Sequence, residues 1–497
     1  MQCSITAGGG SVNAKRSGSL GVGGDSKVQK KDGFWMFALF LILAVWGQAA
    51  RADYKQFYYE KFIASQLPAD EGPESLTKTD VFLQKIDHHN PQDPTVFSQR
   101  YYLNTAYASG PDAPVLFYLC GEATCKESSL KGAIESHAKE LKAALISLEH
   151  RYYGKSQPFA QLTAANMKYL SIDQALEDAA DFQRFAMQKY QLRGKWIVVG
   201  GSYPGSLSAY YRAKFPDLVV GALASSGPVM AKENFEEYDR HVGVVAGAEC
   251  LSRIKTVVGQ VESSLKDPVS ALLVRKKFEA EVLTHDDDFL YLVADMAALA
   301  VQYGYRDRFC GLLAGADPLE GYAQFTREIF QSWQMDALSG SVAGAVSLDP
   351  NDYLSSAGMR QWFYQSCTEY GYWQNAYHEA AQSSRSSRIN MDYHRGICKR
   401  LFAIDHPVEE QSTNQAYYQP LLDSGVSRIL FTNGSRDPWS HLSITVENQN
   451  HSNPNVSVMT LKDAAHCDDL RVPSLTELPS VKEARQKFLE LAKLWLQ

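Results

Sequence analysis

The chain of 497 residues is 45% hydrophobic and 21% charged, an ordinary balance for a globular protein that is longer than one typical domain and large enough to bury a sizeable core. Its formal net charge is −7, and because residues 1–52 carry six Lys/Arg against two Asp/Glu, the remainder stands at −11. An acidic body without a basic run excludes nucleic acid as the expected partner.

In chain order, Lys27, Lys30 and Lys31 precede the apolar run Phe34 to Trp46, and Ala50-Arg51-Ala52 offers a small-x-small cleavage site before Asp53. The run suits a signal-peptide core and falls short of a membrane span, so residues 1–52 read as a targeting segment, with a signal anchor as the alternative. Val115–Leu119 and Ala144–Leu148 are buried-strand runs, and Ser171 with Gln174 makes a capping box that opens a helix toward Tyr190. A further strand-like run, Trp196–Val199, leads through Gly200-Gly201-Ser202-Tyr203-Pro204-Gly205 into a helix-like run, Leu207 to Lys214. A serine on such a turn is a nucleophile elbow, which raises the hydroxyl above the sheet and needs glycine where the backbone is crowded. From about Lys232 to Leu422 the chain reads mainly as helices, among them Ser270–Leu283, Phe289–Tyr303 and Leu319–Met335, with a loop at Gly340–Ser347.

Strand runs return at Arg428–Thr432 and Ser457–Leu461. Ser480 and Glu483 make a second capping box, and the helix they open aligns Val481, Ala484, Phe488, Leu491 and Trp495 on one stripe. The pattern predicts an α/β-hydrolase fold, class α/β, in two parts, residues 53–231 and 423–497. A large helical lid domain, residues 232–422, is inserted between them.

An elbow serine needs a histidine to take its proton and a carboxylate to orient that histidine, in the chain order Ser, acid, His. Asp437 lies on the loop just past the strand Arg428–Thr432, where acids of open α/β sheets sit. Of the histidines that follow, His441 shares that loop and His451 lies in a polar, surface-like stretch. His466 follows the next strand. These positions assign Ser202 as nucleophile, His466 as general base and acid, and Asp437 as orienter. The backbone N–H groups of Tyr203 and of the Gly121-Glu122 turn are the expected oxyanion donors. Neither H-E-x-x-H nor a CxxC pair is present, so no metal or other cofactor is called for.

Several blocks together carry a resemblance. They are Asp87-His88 with Gln99-Arg100-Tyr101, Glu149 to Gly154, Tyr169-Leu170-Ser171 with Gln174-Ala175-Leu176, Gly200 to Tyr203, Ala224-Ser225-Ser226, Trp362 with Tyr364-Gln365 and Cys367-Thr368-Glu369, and Asn433-Gly434 with Asp437-Pro438-Trp439. In this order they resemble the family of lysosomal Pro-X carboxypeptidase, dipeptidyl peptidase II and thymus-specific serine peptidase, from about Phe82 to near the C-terminus. Pro204 and Ser206 depart from the carboxypeptidase pattern and resemble the thymus-specific branch. The resemblance implies a serine-type exopeptidase that acts on short peptides at either end, in the lysosomal or endosomal route or outside the cell, as a monomer or homodimer. It also implies that Trp439 walls the primary pocket, the alternative being a core tryptophan. Ser206 is expected to line the pocket for the residue before the scissile bond. Glu369 either meets a substrate amine or is a buried carboxylate paired within the lid, and Glu149, His150 and Arg151 read as a bracing polar network.

The same resemblance pairs Cys250 with Cys310 and Cys367 with Cys398. Cys120 and Cys125 are candidates for a local bridge, which leaves Cys467 as a free thiol once cleavage removes Cys3. Asn450 and Asn455 are sequons in a surface-like stretch, whereas Asn433 abuts the active-site loop. Two rivals share much of this logic: a lipase or esterase of the same fold, and a catalytically silent binding protein.

Overall fold

The computed structural model describes residues 76–352, 358–446 and 453–497. The expected leader, His451 and the sequon Asn450 lie outside the described residues.

Eight strands build one sheet: β1 Lys78–Lys85, β2 Val96–Asn104, β3 Val115–Leu119, β4 Ala144–Leu148, β5 Trp196–Gly201, β6 Gly221–Ser225, β9 Ile429–Gly434 and β10 Ser457–Leu461. Their order is β1-β2-β4-β3-β5-β6-β9-β10. The pairs β1/β2 and β2/β4 are antiparallel and all the others are parallel. Successive side chains of a strand point to opposite faces, so both faces of an inner strand must be apolar if helices cover both. That is the case: Val115, Phe117 and Val198 pack with Ile172, Leu176 and Phe182 on one side, while Leu116, Tyr118 and Ile197 pack with Ile134, Phe488 and Trp495 on the other.

The helices used below are α1 Ala133–Leu141, α2 Ile172–Lys189, α3 Tyr203–Lys214, α4 Glu237–Ala246, α5 Ala248–Ser264, α6 Pro268–Lys277, α7 Asp286–Gln302, α8 Arg306–Leu313, α9 Pro318–Ser332, α10 Met359–Gln365, α11 Met391–Phe402 and α12 Pro479–Trp495. The chain leaves the main sheet after β6 and returns with β9. Between them run α4 to α11 and a small parallel pair, β7 Lys232–Asn234 with β8 Gly371–Trp373. This is the α/β-hydrolase architecture with a large helical insert.

Boundaries moved where capping chemistry was decisive. The helix expected over Ser270–Leu283 is α6, which starts at Pro268 because Asp267 caps the N–H of Ser270, and which stops early because Glu279 turns to φ 54°. The helices expected at Phe289 and Leu319 begin at Asp286 and Pro318, the latter behind an Asp317 cap. Ser171 caps α2 by accepting from the Gln174 N–H at 3.3 Å. The second capping box does not form: α12 starts at Pro479, and the Ser480 hydroxyl instead donates to the Lys462 carbonyl at 2.8 Å. The stripe it presents is otherwise as expected, with Val481, Ala484, Phe488 and Trp495 buried and Leu491 half-buried.

Cys120–Cys125, Cys250–Cys310 and Cys367–Cys398 are disulfide-bonded, and Cys467 is free and buried. Asn455 is exposed, with its amide donating to the Ser424 carbonyl, whereas Asn433 is buried and donates to the Ile444 carbonyl. Among the described residues no helix is long and apolar enough to cross a membrane.

Candidate active site

Three loops leave the C-terminal ends of β5, β9 and β10, and they carry Ser202, Asp437 and His466. Ser202 stands between β5 and α3 at φ 62° and ψ −133°, a left-handed conformation unusual for a residue with a side chain. Glycine makes the turn passable, since a Cβ on Gly200 would lie 2.1 Å from the Pro204 carbonyl oxygen. The end of β6 ties the rim together: the Ser225 carbonyl accepts from the Ser202 N–H at 2.9 Å, and the Ser226 hydroxyl accepts from the Cys467 N–H at 3.0 Å. Asp469 joins β6 to β9 by accepting from the hydroxyls of Ser225 and Thr432 at 2.5 and 2.7 Å.

Asp437 and His466 are fully buried, and the imidazole Nδ1 lies 2.8 Å from the carboxylate Oδ2. The other oxygen, Oδ1, accepts from the Trp439 N–H at 3.0 Å, which fixes the carboxylate. Burial disfavours the imidazolium, but the Asp437 carboxylate and Cys467 outweigh it and hold the histidine well above its ordinary value.

The helical insert reaches the same place through one residue that the sequence reading missed. The Gln302 carbonyl at the end of α7 accepts from the His466 N–H at 2.8 Å, while its side-chain oxygen accepts from Trp439 Nε1 at 2.9 Å and from the Tyr238 hydroxyl at 2.5 Å. A cavity of about 720 Å³, counting the open space at its mouth, lies between insert and sheet; Ser202, Tyr203, Glu122, Trp362, Trp439, Gln302 and Asp295 line it. A signal for two of these residues was present in α7. Asp295 and Gln302 are the polar residues of the otherwise apolar stretch Phe289 to Gln302, apart from a tyrosine hydroxyl.

Glu122 is buried at the cavity wall, and burial pushes its carboxyl up to about 7. The Cys120–Cys125 bridge closes its loop, and Gly121 packs so tightly on Pro204 that a Cβ would meet the proline ring at 2.4 Å. Glu149, His150 and Arg151 brace this region. Glu149 accepts from the Cys125 N–H and from Arg100, and Arg151 grips Asp178 through two bonds of 2.6 and 2.7 Å. His150 donates from Nδ1 to the Arg151 carbonyl, which leaves Nε2 to accept from the Tyr203 hydroxyl at 2.9 Å. Burial lowers its affinity for a proton, to about 4, and so keeps that acceptor in place.

Two expected pocket residues sit elsewhere. Ser206 is fully buried on α3, its backbone N against Gly227, and does not line the cavity. Glu369 takes a structural place, but its partner lies outside the lid segment: both carboxylate oxygens accept from the Ile172 N–H, at 3.0 and 3.1 Å, where they cap α2. Trp439 lines the cavity while packing against Phe235, Tyr238 and Tyr372.

The family model described as Serine carboxypeptidase S28 matches residues 84–488. The chain belongs to this family. As an S28 member it is a serine peptidase, a hydrolase that acts on peptides. Over 442 residues it is 36% identical to the Probable serine protease EDA2 of Arabidopsis thaliana, covering 84% of this chain and 88% of that one. It is 29% identical to the Thymus-specific serine protease of Mus musculus, covering 93% and 97%, and 26% identical to the Lysosomal Pro-X carboxypeptidase of Pongo abelii, covering 84% and 88%.

Proposed function

We propose that this S28 peptidase is an exopeptidase that removes residues from the ends of short peptides through a Ser202, His466 and Asp437 triad. The observation that carries the reading is the elbow serine at φ 62° lining a cavity beside a buried His466–Asp437 pair 2.8 Å apart. Ser202 attacks the scissile carbonyl while His466 takes its proton, an acyl-enzyme forms, and water activated by the same histidine releases it. The Tyr203 N–H holds the oxyanion, and the Glu122 N–H of the Gly121-Glu122 turn joins it when it leaves the residue's own carboxyl. A cavity on the scale of small-ligand pockets, roofed by the helical segment 232–422 acting as a lid, suits a chain end better than a polypeptide passing through.

Three disulfides accord with an oxidising route, so we place the protein in the secretory pathway, lysosomal or secreted, with residues 1–52 as its signal and Asn455 as a glycan acceptor. A fluorophosphonate probe tests the nucleophile: it labels the wild type and not Ser202→Ala. A peptide-library digest read by mass spectrometry tests the rest. Cuts confined to one or two residues from a terminus are expected, and internal cuts, or ester hydrolysis without peptide cleavage, contradict the reading.

A further inference from the structure

Helix α7 turns one stripe toward the cavity: Asp295, Ala298, Leu299 and Gln302, at spacings of three and four. Gln302 marks the reacting end, since it holds His466 and Trp439. Asp295 lies seven residues earlier, about 10 Å away along the helix axis at 1.5 Å per residue. Between them the wall is apolar, and Tyr291 and Tyr238 flank it.

The carboxylate at the far end is unanswered. Among the described residues Asp295 accepts no hydrogen bond and forms no ion pair. The opposing charge it feels is that of Arg385, whose guanidinium lies 3.5 Å from Asp239 and donates from Nη1 to the Gln374 carbonyl, with Nε and Nη2 unbonded, and which makes no direct ion pair with Asp295. The other carboxyl on the wall, Glu122, is only 5% exposed and interacts with its own backbone N–H and with His466, so it supplies no cation to Asp295. Asp295 is half-buried on the cavity wall, and the desolvation it meets there pushes its carboxyl up to about 7. An apolar corridor flanked by aromatic rings and closed by a carboxylate has the shape and chemistry of an alkyl stem that ends in a cation.

We propose that Asp295 is a specificity determinant that receives the side chain of a lysine or arginine next to the scissile bond. The proposal rests on the triad reading above. Binding of the cation supplies the missing counter-charge, and Ala298 leaves room for the stem.

The test uses the full-length protein and matched peptides that carry Lys, Arg, norleucine or citrulline beside the scissile bond, each with a free and, where the enzyme accepts it, an acetylated amino terminus. Wild type is expected to favour Lys and Arg over the neutral analogues. Asp295→Asn, which keeps the shape, is expected to lower kcat/KM for Lys and Arg about 10–100-fold while leaving norleucine within about twofold. Asp295→Glu keeps the charge and is expected to retain the preference for a basic residue. An unchanged Lys-to-norleucine ratio in Asp295→Asn overturns the proposal. So does a loss that follows the free amino terminus whichever side chain is present. Fluorophosphonate labelling separates the two readings: equal labelling of wild type and Asp295→Asn with an unmoved ratio refutes the specificity role alone, whereas a wild type that takes no label refutes the triad and this proposal with it.

Discussion

Asp437 lies 2.8 Å from His466 with both side chains fully buried, so the residue scale is where charge matters most. A carboxylate that selects the reactive tautomer is worth about 10⁴ in rate when changed to its amide, so Asp437→Asn is expected to fold and to turn over peptide more slowly by that order. A rate within tenfold of wild type contradicts the triad. The raised histidine sets a pH dependence with a definite sign. Because the folded state binds the proton more tightly than the unfolded chain, the pair stabilises the fold fully below about pH 6.5, and that contribution is lost as pH rises through the raised value. In the proposed mechanism activity runs the other way, since only a neutral imidazole can accept the Ser202 proton. The profile of kcat/KM is expected to rise with pH to a half-point above about 6.5. A half-point below that value would show that Asp437 does not govern the base. Glu122 gives the opposite linkage: its carboxyl, pushed up to about 7, costs stability as pH rises from its unfolded value through 7. Glu122→Gln is therefore expected to stabilise the protein at pH 8 by on the order of 2–3 kcal/mol and to have little effect at pH 4, as read from denaturant melts.

At the scale of elements, α7 borders the candidate site although none of its residues belongs to the proposed triad. Its Gln302 hydrogen-bonds the His466 backbone, Trp439 and Tyr238. Gln302→Leu removes its side-chain bonds to Trp439 and Tyr238, and a buried hydrogen-bond partner lost in this way costs about 1–3 kcal/mol. A fall in kcat/KM is expected with Ser202 labelling retained, and an unaltered kcat/KM would mean that the insert does not order the pocket. The elbow is equally specific. Gly200→Ala would drive a methyl into the Pro204 carbonyl, which helix α3 cannot yield, and a poorly folded protein is the expected product.

The whole molecule depends on an insert whose helices are stapled. Cys250–Cys310 joins α5 to α8 across 60 residues, and in the chain-entropy view closing a loop of that length stabilises by about 4 kcal/mol. Replacing both cysteines with serine is expected to lower the melting temperature, and an unchanged melt would place the stability of the insert in its apolar core alone. The alternating strands and helices, the turns past strand ends on which Ser202, Asp437 and His466 stand, and the long helical interruption were legible from the chain because each is written in local pattern: turn chemistry, apolar period and spacing. The second capping box was misread because the Ser480 hydroxyl finds the Lys462 carbonyl, a partner from another element. Ser206 and Glu369 carry the right side chains for a pocket, but periodicity does not say which face of a helix meets a cavity. Only the folded chain decided that Glu369 caps α2, that Gln302 meets His466 and that Asp295 looks into the site. These are contacts between segments far apart in sequence, fixed by how the insert packs onto the sheet, and no local pattern encodes them.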